Sequence, residues 1–254
     1  FVAVVDNYAV ERPFMKLQPR SSIVSKINKD KTGFFFFDAL GVEYLAYIQN
    51  KCEKYGLVSE ISIGRCELPS ITSENKEFEN TCSNIKKISD LDELKHHSTT
   101  YNYTTCPYPI HLFRELEIID TELRRIQSQL AQGTIQKAVI LSDHGASRLA
   151  VLYGKESTSR IELDEKGVHS GRCCKIDEDP NLSQASYEDG YSVLANYERF
   201  QGGRAANLEV HGGATLEEVL VPVITLMRRP DNIIYCFVDP VIKFKMGQDA
   251  KVIL

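Results

Sequence analysis

The apolar residues of this chain fall into short continuous runs and into stripes with helical spacing. The continuous runs are typical of strands, and the four phenylalanines behind Gly33 indicate a strand buried on both faces of a sheet. Strands are predicted on this basis at residues 1–5, 34–37, 57–63, 99–105, 137–141 and 220–227.

The stripes with helical spacing predict amphipathic helices at 42–55 and 112–131. Pro13 and Pro19 favour a loop at 7–20. Strands that alternate with helices in this way predict an α/β fold, with a mostly parallel sheet and helices on both faces.

Two stretches differ from this pattern. Residues 153–206 are rich in charge, Gly and Ser, with a helical pattern only at 191–200, and they predict an insertion over the carboxyl edge of the sheet, where such folds bind ligands. Residues 231–254 alternate as β-structure and predict the start of a truncated C-terminal β appendage to a main domain of residues 1–230.

Composition narrows the class of protein. The chain has 254 residues, 43% of them hydrophobic and 26% charged, which is ordinary for a globular protein with a full core. Its net charge of −5 gives no general attraction to nucleic acid or to anionic membranes, although a local basic rim could still bind nucleic acid. No apolar run is long enough to cross a membrane, so no membrane partner is expected. Seven cysteines without a disulfide spacing favour free thiols and a cytoplasmic location.

Candidate chemistry follows two of the predicted strands. Asp38 comes directly after the phenylalanine run, and Asp143-His144-Gly145 comes directly after the run at 137–141. A carboxylate and an imidazole beside a glycine that lets the chain turn suit a divalent metal ion. The plainer alternatives are an Asp38 that caps the next turn, and a turn at 143–145 with His144 as an ordinary polar residue.

A third element joins these two. His211 precedes two glycines that let an imidazole approach an ion closely. Thr215 and Glu218 have the spacing of a capping box, which predicts a helix from 215, and a capped helix after a glycine turn is the plain alternative. Together, Asp38, the Asp143–His144 pair and His211 predict a divalent metal site.

Three further residues could contact a phosphate. Arg172 could clamp phosphate oxygens and His169 could reach the site from the insertion, although the same run suits an ordinary loop. Arg148 could pair with a phosphate or form a salt bridge across its helix.

These motifs resemble a known family. An Asp at the end of an apolar strand, a later SDHG and a final HGG-T are similar to the alkaline phosphatase superfamily. Within it, the chain resembles the PglZ domain of bacterial phage-exclusion systems (BREX and phage growth limitation) over roughly residues 34 to 227. The motifs that carry this resemblance are FFDALG at 36–41, LPSIT at 68–72 and SDHGASRL at 142–149.

The resemblance implies an alkaline-phosphatase-like doubly wound fold with two divalent metal ions. Zinc is the expected metal, with manganese or magnesium as alternatives. It also implies that Asp38, Asp143 and His144 hold the ion that activates a hydroxyl nucleophile. Pro69-Ser70-Ile71-Thr72 fits the Pro-x-x-Thr context of that nucleophile, which assigns Thr72, with Ser70 or Ser73 as substitutes. Metal coordination would lower the pKa of this alcohol.

The second ion should be bound by His211 and an Asp-x-x-x-His pair. Asp92 and His96 have that spacing, but they precede the predicted strand at 99–105 rather than follow it. His111 and Glu115 follow it one helical turn apart. The resemblance implies a His-x-x-x-Asp pair at this place, so these two residues are favoured as ligands. An ordinary surface pair is the alternative for these two residues.

The predicted function is thus hydrolysis of a phosphoester, and nucleic acid is among the candidate substrates. Other phage-defence proteins are the expected partners. The alternatives are a catalytically degenerate interaction module of a phage-defence complex, and a phosphoglycerate-mutase-like phosphotransferase, which would need more carboxylate ligands than the sequence offers.

Overall fold

The fold is described from a computed structural model. It describes residues 1–82, 85–97, 101, 103, 106–153, 171–177, 179, 181–200, 206 and 208–230. The predicted β appendage at 231–254 lies outside the described residues, as do His169 and much of the stretch 99–105.

Helices and strands alternate through the first two thirds of the described chain. The helices are α1 Val2–Glu11, α2 Arg20–Val24, α3 Leu45–Lys54, α4 Phe78–Thr81, α5 Asp90–His97, α6 His111–Ala131, α7 Leu149–Tyr153 and α8 Leu216–Val219. The strands are β1 Thr32–Phe37, β2 Leu57–Arg65, β3 Ile85–Ile88, β4 Lys137–Ser142, β5 Cys173–Lys175, β6 Ala185–Glu188, β7 Tyr191–Leu194 and β8 Leu220–Arg228. Short 3-10 turns occupy Pro13–Lys16, Val42–Tyr44 and Thr72–Glu74.

The main sheet has five strands in the order β2-β8-β4-β1-β3. β1 runs parallel to both β3 and β4, whereas β8 runs antiparallel to both β2 and β4. Four strands therefore share one direction, which confirms a mostly parallel sheet, and β8 is the exception.

The phenylalanines of β1 explain why this sheet is covered on both faces. Phe35 and Phe37 pack in one apolar cluster with α3, α5 and α6, while Phe34 and Phe36 pack in another with α2 and α4. Successive side chains of a strand point to opposite faces, so a run of four apolar residues needs helices on both. The α/β class predicted from the sequence is confirmed.

The predicted insertion contains a second, smaller sheet. β5, β7 and β6 form three antiparallel strands whose apolar residues pack against α1 and the start of β8. The helix predicted at 191–200 is wrong because β7 occupies its first part. Val193 is fully buried between two strands, and this pairing outweighs the weak helical spacing.

The N-terminal prediction is also wrong. Residues 2–5 of the strand predicted at 1–5 belong to helix α1, and the loop predicted at 7–20 contains the end of this helix, a 3-10 turn and the start of α2. Apolar β-branched residues favour a strand only where a sheet edge can pair with them. Residues of α1 pair with no strand in either of the two described sheets, and the helix instead buries Ala9 against the small sheet.

No disulfide links any of the six cysteines in the described part of the chain. Among the described helices, none is both long enough and apolar enough to span a bilayer.

Candidate metal and nucleophile site

The candidate site lies where β1 and β4 end. These strands are parallel neighbours with Phe37 opposite Ser142, so the next residues, Asp38 and Asp143, emerge side by side at the carboxyl edge of the sheet. Both side chains are buried, Asp143 completely and Asp38 almost so. Each aspartate follows directly on a strand, as its place in the sequence indicated.

A network of buried hydrogen bonds fixes the two loops against each other. The Ala39 amide donates to Asp143 Oδ1 at 3.2 Å, and the Leu40 amide donates to Ser142 Oγ at 3.0 Å. From the opposite side, the buried Arg20 guanidinium donates to the carbonyl oxygens of Ser142 and Asp143, each at 2.8 Å. The Asp143 carboxylate is thus oriented by its own backbone and by the neighbouring loop.

Thr72 places its hydroxyl directly in front of these carboxylates. Its Oγ1 donates to Asp143 Oδ2 at 2.7 Å and lies 3.5 Å from Asp38 Oδ1 and 3.4 Å from His144 Nε2. The loop that carries Thr72 is held by the Asn75 side-chain amide, which donates to the carbonyl oxygens of Pro69 and Ile71.

The two alternative hydroxyls have other roles. Ser70 is fully buried, donates to the Gly213 carbonyl at 2.6 Å and accepts from the Gly212 amide at 2.9 Å, so it holds the glycine turn in place. Ser73 is exposed and donates to Glu74. Of the three candidate nucleophiles, Thr72 faces the carboxylates.

Both imidazoles of the site are held in one orientation by backbone carbonyls. Nδ1 of His144 lies 3.0 Å from the Gly145 carbonyl oxygen, and Nδ1 of His211 lies 3.0 Å from the Ser70 carbonyl oxygen. A carbonyl oxygen only accepts, so each Nδ1 carries the proton, and in the neutral ring Nε2 presents a lone pair. The two rings stack with centroids 3.9 Å apart.

These lone pairs face carboxylate oxygens. His144 Nε2 lies 3.3 Å from Asp143 Oδ2 and 3.8 Å from Asp38 Oδ1. Burial, reinforced by the neighbouring Asp143 charge, raises the pKa of Asp38 to about 6. Two acceptors that face each other in a buried site repel unless a cation lies between them, and a backbone-anchored imidazole is the usual arrangement of a metal ligand.

His211 has neighbours that differ from those predicted. Its Nε2 lies 3.6 Å from Asp92 Oδ1, and the His96 ring contacts the His211 ring edge to face with centroids 4.7 Å apart. Asp92 Oδ1 also lies 3.2 Å from His96 Nε2. Burial opposes ionisation of Asp92, but His96, His144 and Lys95 outweigh it and lower its pKa.

His111 and Glu115, the partners expected for His211, instead form a separate buried group with Glu209. His111 Nε2 lies 3.8 Å from Glu115 Oε1 and 3.8 Å from Glu209 Oε1. This group could also hold an ion. Its two carboxylates are, however, already balanced by two cations: Lys95 Nζ lies 2.7 Å from Glu209 Oε2, and Arg148 contacts both Glu209 and Glu115.

The predicted phosphate ligands are engaged elsewhere. Arg148 forms a salt bridge with Glu209, which lies shortly before His211, and not with a residue of its own helix as the alternative had it. Arg172 is fully buried, forms an ion pair with Glu218 at 2.8 Å and donates to three backbone carbonyls, so the expectation that it clamps phosphate is corrected. It supports the capping box of α8 and, through it, the glycine turn after His211.

No model of a known protein family matches the chain, and no curated protein is significantly similar to it. The function is therefore inferred from the geometry of the site.

Two elements near the site, strand β3 and helix α5, were not predicted from the sequence. Strand β3 was not predicted because its centre is Lys86-Lys87, and lysines are common on edge strands, where they discourage pairing with other chains. Without β3, the Asp92-x-x-x-His96 spacing on α5 has no strand before it. With β3 in place, this pair follows a strand of the sheet, and its spacing was the signal that could have located it.

Proposed function

We propose that this protein is a metal-dependent phosphoester hydrolase in which Thr72 is the nucleophile. The observation that carries the proposal is the position of Thr72 Oγ1, which lies 2.7 to 3.5 Å from Asp143, His144 and Asp38 in a buried group of donor atoms. No other described hydroxyl of the Pro69-Ser70-Ile71-Thr72-Ser73 loop lies in this position.

The donor atoms fit two divalent cations. Asp38, Asp143 and His144 would hold the first, and Asp92 and His211 would hold the second. His144 is common to both groups, and His96 lies beside Asp92 and His211. Mixed imidazole and carboxylate ligands suit zinc, with manganese as a second choice. Bound cations would lower the pKa of the Thr72 hydroxyl and neutralise the charge that develops on the phosphoryl oxygens.

The residues of the chain account for the reaction in two stages. Asp143 Oδ2 accepts the Thr72 hydrogen bond and so directs an Oγ1 lone pair towards the substrate. Oγ1 attacks phosphorus and gives up its proton to solvent, an O–P bond forms, and the ester O–P bond breaks. The leaving oxygen takes up a proton from solvent and departs as the alcohol. Water then attacks the phosphothreonine, which releases phosphate or a phosphomonoester and restores the hydroxyl.

The mixed sheet with catalytic groups at its carboxyl edge is consistent with an alkaline-phosphatase-like fold of the PglZ type. On that basis we propose that the protein acts in the cytoplasm in defence against phage, together with other defence proteins, on a phosphoester that could be nucleic acid. This part of the proposal depends on the motifs FFDALG, LPSIT and SDHG.

The test combines metal analysis with hydrolysis of chromogenic phosphomonoesters and phosphodiesters. We expect about two zinc or manganese ions per chain. Thr72→Ala should lose at least about 1,000-fold in kcat/KM, because the nucleophile is removed, whereas Thr72→Ser should keep part of the activity. Ser73→Ala is the matched control, since it removes the neighbouring exposed hydroxyl and should change little.

The opposite result would support an interaction module. A purified protein that binds no ion and hydrolyses neither ester, with phage restriction in cells unchanged by Thr72→Ala, would rule out the enzyme.

A further inference from the structure

Lys87 places an ammonium group beside the carboxylate that adjoins the proposed nucleophile. It lies on edge strand β3, and its ammonium is 2.8 Å from Asp38 Oδ2, while the other oxygen of that carboxylate is 3.5 Å from Thr72 Oγ1. One carboxylate group thus separates the ammonium from the proposed nucleophile. The Lys87 side chain is 46% exposed, so a ligand can reach it from solvent.

We propose that Lys87 binds the phosphoryl group of the substrate as it approaches Thr72. This inference rests on the proposed function and extends it to a residue that recognises the substrate. A lysine ammonium on a flexible stem is a compact positive charge that binds phosphate in many sites. The Lys87 ammonium also lies over the ring of Phe36, near the end of β1, with Nζ 5.1 Å from the ring centroid.

Among the residues that the structure describes, four other cations near the site already have partners within the fold. Arg20 forms an ion pair with Glu77 and binds two backbone carbonyls, Lys95 is fully buried against Glu209, and Arg148 and Arg172 are engaged with glutamates. Moving Lys95, Arg148 or Arg172 to a ligand would leave a buried carboxylate without its partner, which is costly, and moving Arg20 would break its bonds to two buried carbonyls. Lys87 differs because its partner, Asp38, belongs to the proposed metal site, and a cation there would compete for the same oxygen.

Lys87 also indicates which ester is favoured. A monoester carries up to two negative charges and a diester carries one, so the loss of one positive charge should weaken monoester binding more. The substrate class that best fits this residue is an ester with a terminal phosphate.

The sequence provides a matched control in the adjacent residue. Lys86 has similar exposure, 41%, but points to the opposite face of the sheet, where Nζ lies 2.5 Å from Glu122 Oε2 on α6. Lys86→Gln and Lys87→Gln remove the same charge from the same strand, and only the second removes it from the Thr72 side.

The experiment measures binding of inorganic phosphate to the metal-loaded protein by calorimetry, which does not require turnover. We expect Lys87→Gln to raise the Kd about 5- to 20-fold, Lys87→Arg to raise it less, and Lys86→Gln to stay within about twofold of the wild type. Metal content and thermal unfolding verify that each variant is loaded and folded. If the protein hydrolyses esters, Lys87→Gln should raise KM for a monoester more than KM for a diester.

Equal phosphate affinity for Lys86→Gln and Lys87→Gln would overturn the inference. In that case Lys87 would act only as the counter-ion of Asp38, and Lys87→Gln would tighten metal binding without weakening phosphate binding. A wild type that binds phosphate through Lys87 but hydrolyses no ester would instead refute the hydrolase proposal and leave the binding role of Lys87 intact.

Discussion

Gly145 shows how closely the backbone is packed around the proposed ligands. A Cβ atom at this position would overlap the Glu217 carbonyl oxygen, and the Gly145 amide donates to the Glu218 carbonyl at 2.9 Å. Gly145 also accepts the Nδ1 proton of His144. A side chain here would therefore displace the loop that orients this imidazole.

Gly145→Ala should lower the free energy of unfolding by about 1–3 kcal/mol and weaken metal binding together with it, because the loop must move. Urea denaturation and metal analysis measure the two effects. Gly133→Ala is the control: its Cβ would meet nothing within 4 Å, although its φ of 71° carries some strain. Gly133→Ala should cost about 1 kcal/mol and leave the metal content unchanged. If Gly145→Ala binds metal like the wild type, the loop does not depend on this contact.

At the scale of single residues, the sequence indicated the position of a residue that directly follows a strand. It did not indicate the position of a residue whose partner is distant in the sequence. Asp38, Asp143 and Thr72 were placed by strand ends and a short motif, and the structure brings them together. The buried ion pair of Arg172 was not predicted, because its partner Glu218 is 46 residues away and no local pattern links the two. A buried arginine and a phosphate-binding arginine look the same in a sequence.

Helices α3 and α6 are joined by a charged contact at their interface. Asp120 on α6 accepts from Tyr55 at 2.5 Å and Arg124 at 3.0 Å, and Lys51 on α3 lies 2.8 Å away. Partial burial would raise the pKa of Asp120, but these three partners outweigh it and lower the pKa to about 2. The folded state therefore holds the proton less tightly than the unfolded chain, and the contact stabilises the protein above about pH 4.

Asp120→Asn should lower the free energy of unfolding by about 1–2 kcal/mol at pH 7, because it removes hydrogen bonds to a charged group. The difference from the wild type should shrink as the pH falls from about 4 towards 2, since the wild-type carboxylate is then protonated as well. Urea denaturation at pH 7, 4 and 3 measures it. Glu117→Gln, in an exposed pair with Arg114, should change the stability by less than about 0.5 kcal/mol. A difference that is independent of pH would contradict the assignment.

Helix α5 is tied to the His211 loop by the ion pair between Lys95 and Glu209. The pair is buried at both ends, and Lys95 also donates to the Ala39 carbonyl at 3.2 Å, beside Asp38. Burial alone would lower the pKa of Lys95, but Glu209, Tyr44 and Glu115 hold it well above its ordinary value. The pair thus connects the helix that carries Asp92 to both candidate metal sites.

Lys95→Met should cost about 3–5 kcal/mol of unfolding free energy, because Glu209 loses a buried partner. The double variant Lys95→Met/Glu209→Gln should be more stable than the sum of the single changes predicts, since it removes both charges. Denaturant unfolding of the four proteins gives the coupling energy. Strictly additive effects would mean that Arg148 and His111 suffice to satisfy Glu209.

For the whole molecule, the sequence predicted the α/β class because a sheet covered on both faces requires continuous apolar strands, and β1 and β4 show them. The direction of β8 was not predictable, because an apolar run is the same read parallel or antiparallel. β3 and α5 were missed because they are short and polar. Without a strand before Asp92 and His96, the sequence favoured His111 and Glu115 as the partners of His211.

The proposed metal sites join parts of the chain that are far apart in sequence, from the end of β1 to the loop before α8. Ions that bind only the folded protein stabilise it by mass action, by about 2.7 kcal/mol per site when the free ion is at 100 times its Kd. For a chain of this size, each kcal/mol raises Tm by about 2–4 °C.

Adding zinc to the chelator-treated protein should therefore raise Tm by about 5–10 °C for each site filled, and a chelator should reverse the change. Calorimetric scans of Asp38→Asn and Asp92→Asn separate the two sites, because each variant removes a ligand from one group and should keep the zinc-dependent shift of the other. Glu117→Gln, remote from both groups, should show the full shift. Two separate partial losses would support two ions, whereas loss of the entire shift in Asp38→Asn with none in Asp92→Asn would reduce the proposal to a single ion beside Thr72.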